Sequence, residues 1–146
     1  NADHIVYTPQ SWEESETIAK QLLKKHCLII GTTDLMHYGG RYNYTDNLLL
    51  SEEKRRQWKM KMEKPFLRAI MNISSERMKQ LYIQNPHLAC GPYSVYCILR
   101  YMELENRQRK AIIKAYYDSL ESKYVKNKHR REKELNFVSY ISIVFE

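Results

Sequence analysis

The sequence predicts an α/β fold in which helices flank a central mixed sheet. Two observations support this prediction. Apolar residues recur at helical spacing in several segments, and these segments alternate along the chain with short runs of β-branched and aromatic residues. The chain has 146 residues, 43% of them hydrophobic, with only 4 Gly and 4 Pro. That composition provides enough apolar surface for a folded core, and we expect a single domain over residues 1–146.

The first predicted helix begins after Ser11, whose side chain suits a helix cap and which is followed by acidic residues near the helix start. Trp12, Ile18 and Leu22 recur at helical spacing and give the helix an apolar face. The pattern continues to about Lys25. It is typical of an ordinary surface helix.

A continuous apolar and β-branched run from Cys27 to Leu35 predicts a strand that is buried on both faces. The next segment, residues 36–44, combines paired glycines with aromatic residues and predicts a shaped loop. Ligands gather at the carboxyl ends of strands in open α/β sheets. We therefore expect a functional site in this loop.

The middle of the chain predicts three further helices. Residues 51–71 show an amphipathic pattern whose methionine-rich face is typical of a core, and Pro65 predicts a break or restart. A second helix is expected after Ser74. A third is expected from Pro92 to about Glu105, because proline is favoured at the first position of a helix.

Two strands are predicted in the last third of the chain. Residues 111–117 form an apolar run, and residues 137–145 alternate clearly between apolar and polar side chains. The strongly basic segment 121–134 lies between them. It is typical of a solvated loop.

The formal net charge of +7 raises the question of nucleic-acid binding. The basic residues at 54–56 and 128–131 have no interleaved aromatic platform and no recognised motif, so a solvated basic surface is favoured and nucleic acid is not. Three cysteines at irregular spacing predict neither a disulfide framework nor a metal knuckle. With no apolar run of membrane-spanning length and no signal-peptide pattern, we expect a soluble cytoplasmic protein without a membrane partner.

Asp34 and His37 are the first candidates for chemistry, because they follow a predicted buried strand and stand three residues apart. A single turn could aim both side chains at one pocket. A neutral imidazole can bind a metal or relay a proton, and a nearby carboxylate orients it. Capping by Asp34 and packing of His37 against Tyr38 would explain the same spacing, so the pattern alone leaves both interpretations open.

Cys90 is the second candidate, since it precedes Gly91 and Pro92 at a predicted helix start. The positive end of a helix dipole favours a thiolate, and a thiolate is a strong ligand for iron, copper or zinc. The alternative is a small buried residue at a tight turn. Cys27 and Cys97 stand in apolar surroundings and are predicted to lie in the core.

Three ordered motifs resemble the Memo family. Residues 31–39 resemble the family's Gly-Thr-Thr-Asp-Leu-(Ser or Thr)-His-Tyr-Gly element, with a methionine at the hydroxyl position. Residues 89–92 are similar to its Ala-Cys-Gly-Pro turn, and residues 137–145 resemble its closing strand, Phe-Val-Gly-Tyr-Ala-Gly-Ile-Val-Phe. The resemblance spans roughly residue 27 to the end of the chain, with a looser fit in the helical middle.

The resemblance implies a fold similar to the class III extradiol dioxygenases, with a pocket for iron or copper. It implies that Cys90 is a metal ligand and that Asp34 and His37 line the same pocket. His37 would stand where the dioxygenases place their acid-base histidine, which makes His37 and Asp34 the catalytic candidates. Roles in the family include cell motility, microtubule organisation, copper-linked redox chemistry and iron handling.

The resemblance also implies that two further histidines complete the metal site from the amino-terminal half of the family fold. His4 and His26 do not stand in matching contexts. We therefore expect this chain to be the carboxy-terminal half of the fold, the other half being a separate segment, trimmed away or lost. A three-ligand face is normal for non-haem iron, so the isolated chain is expected to hold no metal and to have no enzymatic activity.

Two functions follow from these expectations. The favoured one is a non-catalytic protein-interaction subunit with a residual metal pocket, because a half-fold exposes strand edges and apolar faces that a partner protein or the complementary amino-terminal half would cover. The alternative is an iron- or copper-dependent redox or metal-binding protein that works when the missing half is supplied. Met36, Ser139 and Ser142 replace residues of the family motifs and weaken the enzymatic interpretation.

Overall fold

A computed structural model describes residues 5–25, 28–44, 52–120 and 136–146. Within these ranges the helices are α1 (Trp12–Leu22), α2 (Glu52–Met71), α3 (Ser75–Gln84) and α4 (Pro92–Glu105). The strands are β1 (His37–Tyr38), β2 (Ala111–Asp118) and β3 (Phe137–Phe145). Single turns of 3-10 helix lie at Gly40–Tyr42 and Pro86–Leu88. The combination of helices and a small sheet agrees with the predicted α/β class.

The four predicted helices are confirmed. Ser11 caps α1 as predicted, because its Oγ accepts a hydrogen bond from the backbone N–H of Glu14 at 3.1 Å. This helix ends at Leu22, before the predicted Lys25. The bounds of α4 agree with the prediction at both ends, and Asn106 ends it with a φ of 52° in the left-handed region.

The predicted break at Pro65 is wrong, because α2 continues through it to Met71. Proline removes one backbone hydrogen bond from a helix. Here the ring faces solvent, whereas Phe66, Leu67 and Ile70 directly after it are buried in the core. Tertiary packing of that apolar face supplies most of a helix's stability and outweighs the lost bond.

The sheet has three strands in the order β1-β3-β2, and both pairings are antiparallel. His37 pairs with Val138 at one end of β3, and Ala111 pairs with Phe145 at the other. The two predicted strands of the last third are confirmed. The expectation of a mixed sheet is wrong for the described part of the chain, because the run that should have supplied a further strand does not form one.

That run, predicted as a strand buried on both faces over residues 27–35, has neither helix nor strand structure from Leu28 onward. Leu28 and Ile30 are 87% and 78% exposed. Among the described residues the backbone of 28–33 forms no hydrogen bond. The first are at Asp34, whose carbonyl accepts from Cys90 N–H at 3.2 Å, and at Leu35, whose N–H donates to the carbonyl of Ser139 at 3.0 Å. An apolar run becomes a buried strand only where neighbouring strands pair with it and both faces are covered. Here Ile29 packs against the core between α1 and α4 and Leu35 is buried, but Leu28 and Ile30 are exposed and no described strand pairs with residues 28–33.

The core has two parts. The larger part joins α2, α3 and α4, where Phe66, Met78 and Leu99 are fully buried. The smaller part joins α1 to α4 around Ala19 and Cys97. The core position of Cys97 is confirmed, and its burial raises the pKa of the thiol to about 11, which keeps it protonated and unreactive.

The predicted loop at 36–44 is more regular than expected. It contains β1, a 3-10 turn and a bridge between Gly39 and Tyr44, and Gly39 has a φ of 120° that favours glycine.

Cys27 and the basic segment 121–134 lie outside the described residues. No helix in the described ranges combines the length and apolar composition needed to cross a bilayer.

Candidate metal centre

Asp34, His37 and Cys90 form a cluster, called here the metal pocket. One ligand atom of each residue, a carboxylate oxygen, a ring nitrogen and the thiol sulfur, lies within 4.8 Å of the other two. Asp34 and His37 are half-buried and Cys90 is exposed. The structure thus brings together all three site residues that were predicted from the sequence, although Cys90 is distant from the others along the chain.

The position of Asp34 and His37 follows from the attachment of their segment to β3. Leu35 N–H donates to the carbonyl of Ser139, and Ser139 N–H donates to the carbonyl of Met36 at 2.9 Å. Leu35 and Met36 are buried at 1% and 0% exposure, and they anchor the segment in the core. Because Leu35 and Met36 lie in the core, Asp34 and His37 on either side of them lie at its edge and are half-buried.

Cys90 lies beside Asp34 and His37 because its turn is hydrogen-bonded to Thr33 and Asp34. Its backbone N–H donates to the carbonyl of Asp34 at 3.2 Å. The next N–H, that of Gly91, donates to Oγ1 of Thr33 at 2.8 Å. Cys90 directly precedes the first turn of α4, which begins at Pro92. Two backbone contacts therefore hold the cysteine turn against the Thr33–Asp34 step.

His37 Nε2 is the atom that distinguishes this cluster from an ordinary surface group. It is buried and has no hydrogen-bond partner among the described residues. Asp34 Oδ2 lies 3.4 Å away, but the angles do not make this contact a hydrogen bond. The ring packs against Tyr42 at 4.8 Å between centroids.

Two tyrosines that sequence reasoning missed lie beside Asp34 and His37. Tyr42 packs on His37, and Tyr140 lies close enough to Asp34 for its carboxylate to act on the phenol. Burial first, and then the charge of Asp34, raises the pKa of Tyr140. The phenol therefore stays protonated and can donate a hydrogen bond. No sequence signal places Tyr140 here, because its register is set by the pairing of β3.

Two further tyrosines lie on the Cys90 side. Tyr82 and Tyr93 both contact the ring of Trp12, with centroid distances of 5.9 and 4.6 Å. Burial, followed by the influence of Tyr93 and Cys90, raises the pKa of Tyr82. These rings come from α1, α3 and α4, so only the packing of three helices brings them to the pocket.

A second set of charges lies in the interior next to the same segment. We call Arg55, Lys59, Glu63 and Asp118 the charge network, and each is less than 5% exposed. Asp118 accepts hydrogen bonds from Lys59 Nζ at 3.0 Å and Arg55 Nε at 3.3 Å, and from the backbone N–H of Leu120. The network therefore ties α2 to the end of β2.

The two acids of the charge network have pKa values shifted in opposite directions. Burial is the largest influence on both and favours the neutral form. At Asp118 the hydrogen bond and charge of Lys59, with the charge of Arg55, outweigh burial and lower the pKa. At Glu63 burial prevails over the hydrogen bond from Tyr116 and raises the pKa. Glu63 also accepts Met36 N–H at 3.3 Å, which connects the network to the metal pocket.

An apolar groove of about 450 Å³ lies on another side of the exposed run. It includes Thr33 but none of the metal pocket residues. Most of its walls come from the run itself, from α4 and from β3, including Leu28, Ile30, Ile98, Met102, Ile141 and Phe145.

A family model described as Memo-like protein matches residues 6–144, which is nearly the whole chain. The chain belongs to the Memo-like family. No curated protein matches the chain. The Memo resemblance predicted from three motifs is therefore confirmed, and the match starts well before residue 27, where the motif resemblance began.

The donors of the Memo-like metal pocket fit a transition metal. Metal–ligand bonds of about 2.0–2.3 Å place the ligands of one ion roughly 3–4 Å apart. The 3.4 Å between Asp34 Oδ2 and His37 Nε2 falls in that range, and the sulfur of Cys90 lies within 4.8 Å of both ligand atoms. Thiolate, imidazole and carboxylate together suit iron, copper or zinc.

Proposed function

We propose that this Memo-like chain binds iron or copper through Cys90, His37 and Asp34. The observation that carries the proposal is the convergence of the three ligand atoms within 4.8 Å around a buried ring nitrogen that has no partner among the described residues. A buried polar atom without a hydrogen bond costs about 1–3 kcal/mol. A metal bond to His37 Nε2 would remove that cost.

The geometry favours a ligand role for both Asp34 and His37. A carboxylate that orients an acid-base histidine bonds one ring nitrogen and leaves the other free for the substrate. Here Asp34 Oδ2 lies beside Nε2 without a hydrogen bond, so the two atoms face the same point as neighbouring ligands do. Bound iron or copper would supply redox or Lewis-acid chemistry, and Tyr140 could donate a proton or hydrogen bond at the rim.

Metal content tests this proposal. The protein would be purified with whatever co-purifies, and iron, copper and zinc measured by elemental analysis in wild type, Cys90→Ser and His37→Gln. Matched controls are Cys97→Ser, which changes a buried thiol, and His87→Gln, which changes a histidine that is stacked on Tyr44 and is not one of the three clustered ligands. We expect roughly one ion per wild-type chain and loss of it only in the two pocket variants. Equal metal content in pocket and control variants would refute the proposal.

A second candidate function is that of a protein-interaction subunit, as the sequence favoured. The exposed apolar side chains of Leu28 and Ile30, on a backbone without hydrogen bonds in the described structure, support it. Such a segment can add a strand from a partner through main-chain hydrogen bonds. We propose as partner the complementary half of an extradiol-dioxygenase-like fold, of which this chain would be the carboxy-terminal part.

Hydrogen exchange tests the second candidate. Amides of residues 28–33 should exchange rapidly in the isolated chain and slowly after addition of a separately expressed amino-terminal half of a Memo-like protein. Leu28→Lys with Ile30→Lys should abolish that protection, whereas Lys20→Ala, a change on the exposed face of α1, should not. Unchanged exchange on mixing would refute the assignment of this partner.

A further inference from the structure

We propose that Thr33 is a positioning residue whose hydroxyl fixes the Cys90 thiol over Asp34 and His37. The proposal rests on the metal function proposed above and extends it to a residue outside the ligand set. Thr33 is half-buried and lies next to Asp34 in the segment that carries the metal pocket.

The Thr33 hydroxyl contacts three groups at once. It accepts the Gly91 N–H at 2.8 Å, donates to the carbonyl of Asp34 at 2.9 Å and lies 3.6 Å from Cys90 Sγ. The last distance is within range for a hydrogen bond to sulfur. Because the hydroxyl has one proton, the Cys90 thiol donates to Oγ1 while Oγ1 donates to Asp34, and Oγ1 would turn its proton to the sulfur once Cys90 is a thiolate. Of the side chains that the structure describes, Thr33 alone is hydrogen-bonded to this sulfur. One hydroxyl therefore joins the two pocket segments through both backbone and side chain.

The hydroxyl matters because the Cys90 side chain is otherwise free to turn. Cys90 is exposed, so packing does not fix its rotamer. An oxygen 3.6 Å from Sγ favours the rotamer that keeps the sulfur beside the Thr33–Asp34 step. Outer groups of this kind orient metal ligands, and their loss lowers metal affinity by about 10–100-fold.

Gly91 gives independent support for a close fit at this point. A Cβ at position 91 would lie 3.0 Å from Thr33 Oγ1 and 3.3 Å from Thr33 Cβ. Glycine therefore allows the threonine to approach the cysteine turn closely enough for its hydroxyl to reach both Gly91 N–H and Cys90 Sγ. The pairing links the two motifs that carry the pocket residues.

The test uses variants that separate the hydroxyl from the methyl group of Thr33. Thr33→Val removes the hydroxyl and keeps the shape, Thr33→Ala is a second variant without the hydroxyl, and Thr33→Ser keeps the hydroxyl alone. Thr32→Val changes the exposed neighbouring threonine as a matched control. Cobalt(II) is the probe, with its affinity and its thiolate-to-metal absorption band as readouts. The Hα–Hβ couplings of Cys90 measured by NMR report its rotamer without metal.

We expect Thr33→Val and Thr33→Ala to bind cobalt about 10–100-fold more weakly and to shift the absorption band to longer wavelength. The Cys90 couplings should change from those of one rotamer to averaged values. Thr33→Ser and Thr32→Val should match wild type. A merely structural role would alter stability but would not shift the band.

The proposal is overturned if the variants without the hydroxyl keep the wild-type affinity, band and couplings. It is also overturned if Thr33→Ser loses as much cobalt affinity as Thr33→Val, since packing of the methyl group would then explain the loss. A wild type that binds no cobalt, with couplings that still depend on the hydroxyl, would refute the metal function and leave the positioning of Cys90 intact.

Discussion

The charge network and the metal pocket are two polar clusters that both contact the segment from Asp34 to His37. They differ in burial and in the hydrogen bonding of their polar side chains. In the charge network, Asp118 is fully buried and accepts hydrogen bonds from Lys59, Arg55 and Leu120. In the metal pocket the side chains are half-buried or exposed, and His37 Nε2 has no partner in the described structure.

The contrast is the one expected between groups that stabilise the fold and groups that bind a ligand, as we propose for the metal pocket. Burying a charge is costly unless it is paired and hydrogen-bonded, so a fully satisfied buried network is what a stable fold requires. A buried nitrogen left without a partner stabilises nothing in the free chain. The position of this nitrogen is explained if a metal ion or another ligand from outside the chain bonds to it. We expect substitutions in the two clusters to differ accordingly.

The largest effect is expected for Asp118→Ala. It leaves Lys59 and Arg55 buried without their shared carboxylate, and breaking a buried ion pair by removing one partner costs about 3–5 kcal/mol. Urea denaturation should show this loss in the free energy of unfolding. Lys114→Ala, on the exposed part of β2, should change it by less than about 0.5 kcal/mol. A loss at Asp118 as small as the control would show that the network does not stabilise the fold.

Glu63→Gln should cost less, about 1–3 kcal/mol, because the amide turns a donor toward Tyr116 or Met36 N–H, both of which are donors. The pKa of Glu63 is raised above 4.5 in the folded state, so its stabilising effect is greatest below that pH and declines as pH rises through the folded pKa. The difference between variant and wild type should therefore shrink from pH 4.5 to pH 7.5. The pH dependence that Asp118 gives to stability has the opposite sign. Its pKa is lowered in the folded state, so its stabilising effect is lost as the pH drops below 3.8.

Denaturation at several pH values checks both signs. Glu53→Gln, the same substitution at an exposed position of the same helix, serves as the control. A penalty for Glu63→Gln that grows toward neutral pH would contradict the assigned pKa direction.

Gly91→Ala should destabilise the protein by about 1–3 kcal/mol, because the added Cβ crowds Thr33, whose hydroxyl is engaged by Gly91 N–H. Gly40→Ala is the matched control, because nothing lies within 4 Å of a Cβ added there. We expect a change below about 0.5 kcal/mol at that position. Equal losses at both glycines would argue against a tight contact between the two pocket motifs.

The smallest effect on stability is expected for His37→Gln, within about 0.5 kcal/mol of wild type. No hydrogen bond of Nε2 to a described residue is lost, and the side chain is 28% exposed. Thermal unfolding in the presence of a chelator measures this directly. A loss comparable to that of Asp118→Ala would place His37 among the structural residues and remove the contrast between the clusters.

The sequence predicted the helices and the last two strands because their periodicity depends on local spacing. Asp34, His37 and Cys90 could be selected from the sequence because they stand in motifs, and the structure brings their side chains close together, while their role as metal ligands stays a prediction. Prediction failed where tertiary context decides: the apolar run at 27–35 is not a strand in its described part, because the backbone of residues 28–33 forms no hydrogen bond to a described element. The charge network, Thr33 and Tyr140 could not be found, because each depends on contacts between distant segments.

The most direct test of the central claim is X-ray absorption on the iron-loaded protein. Our account predicts one sulfur neighbour at about 2.3 Å together with nitrogen or oxygen neighbours, and loss of the sulfur signal in Cys90→Ser but not in Cys97→Ser. A wild-type spectrum without sulfur, or one unchanged by Cys90→Ser, would contradict the claim that Asp34, His37 and Cys90 form a metal centre.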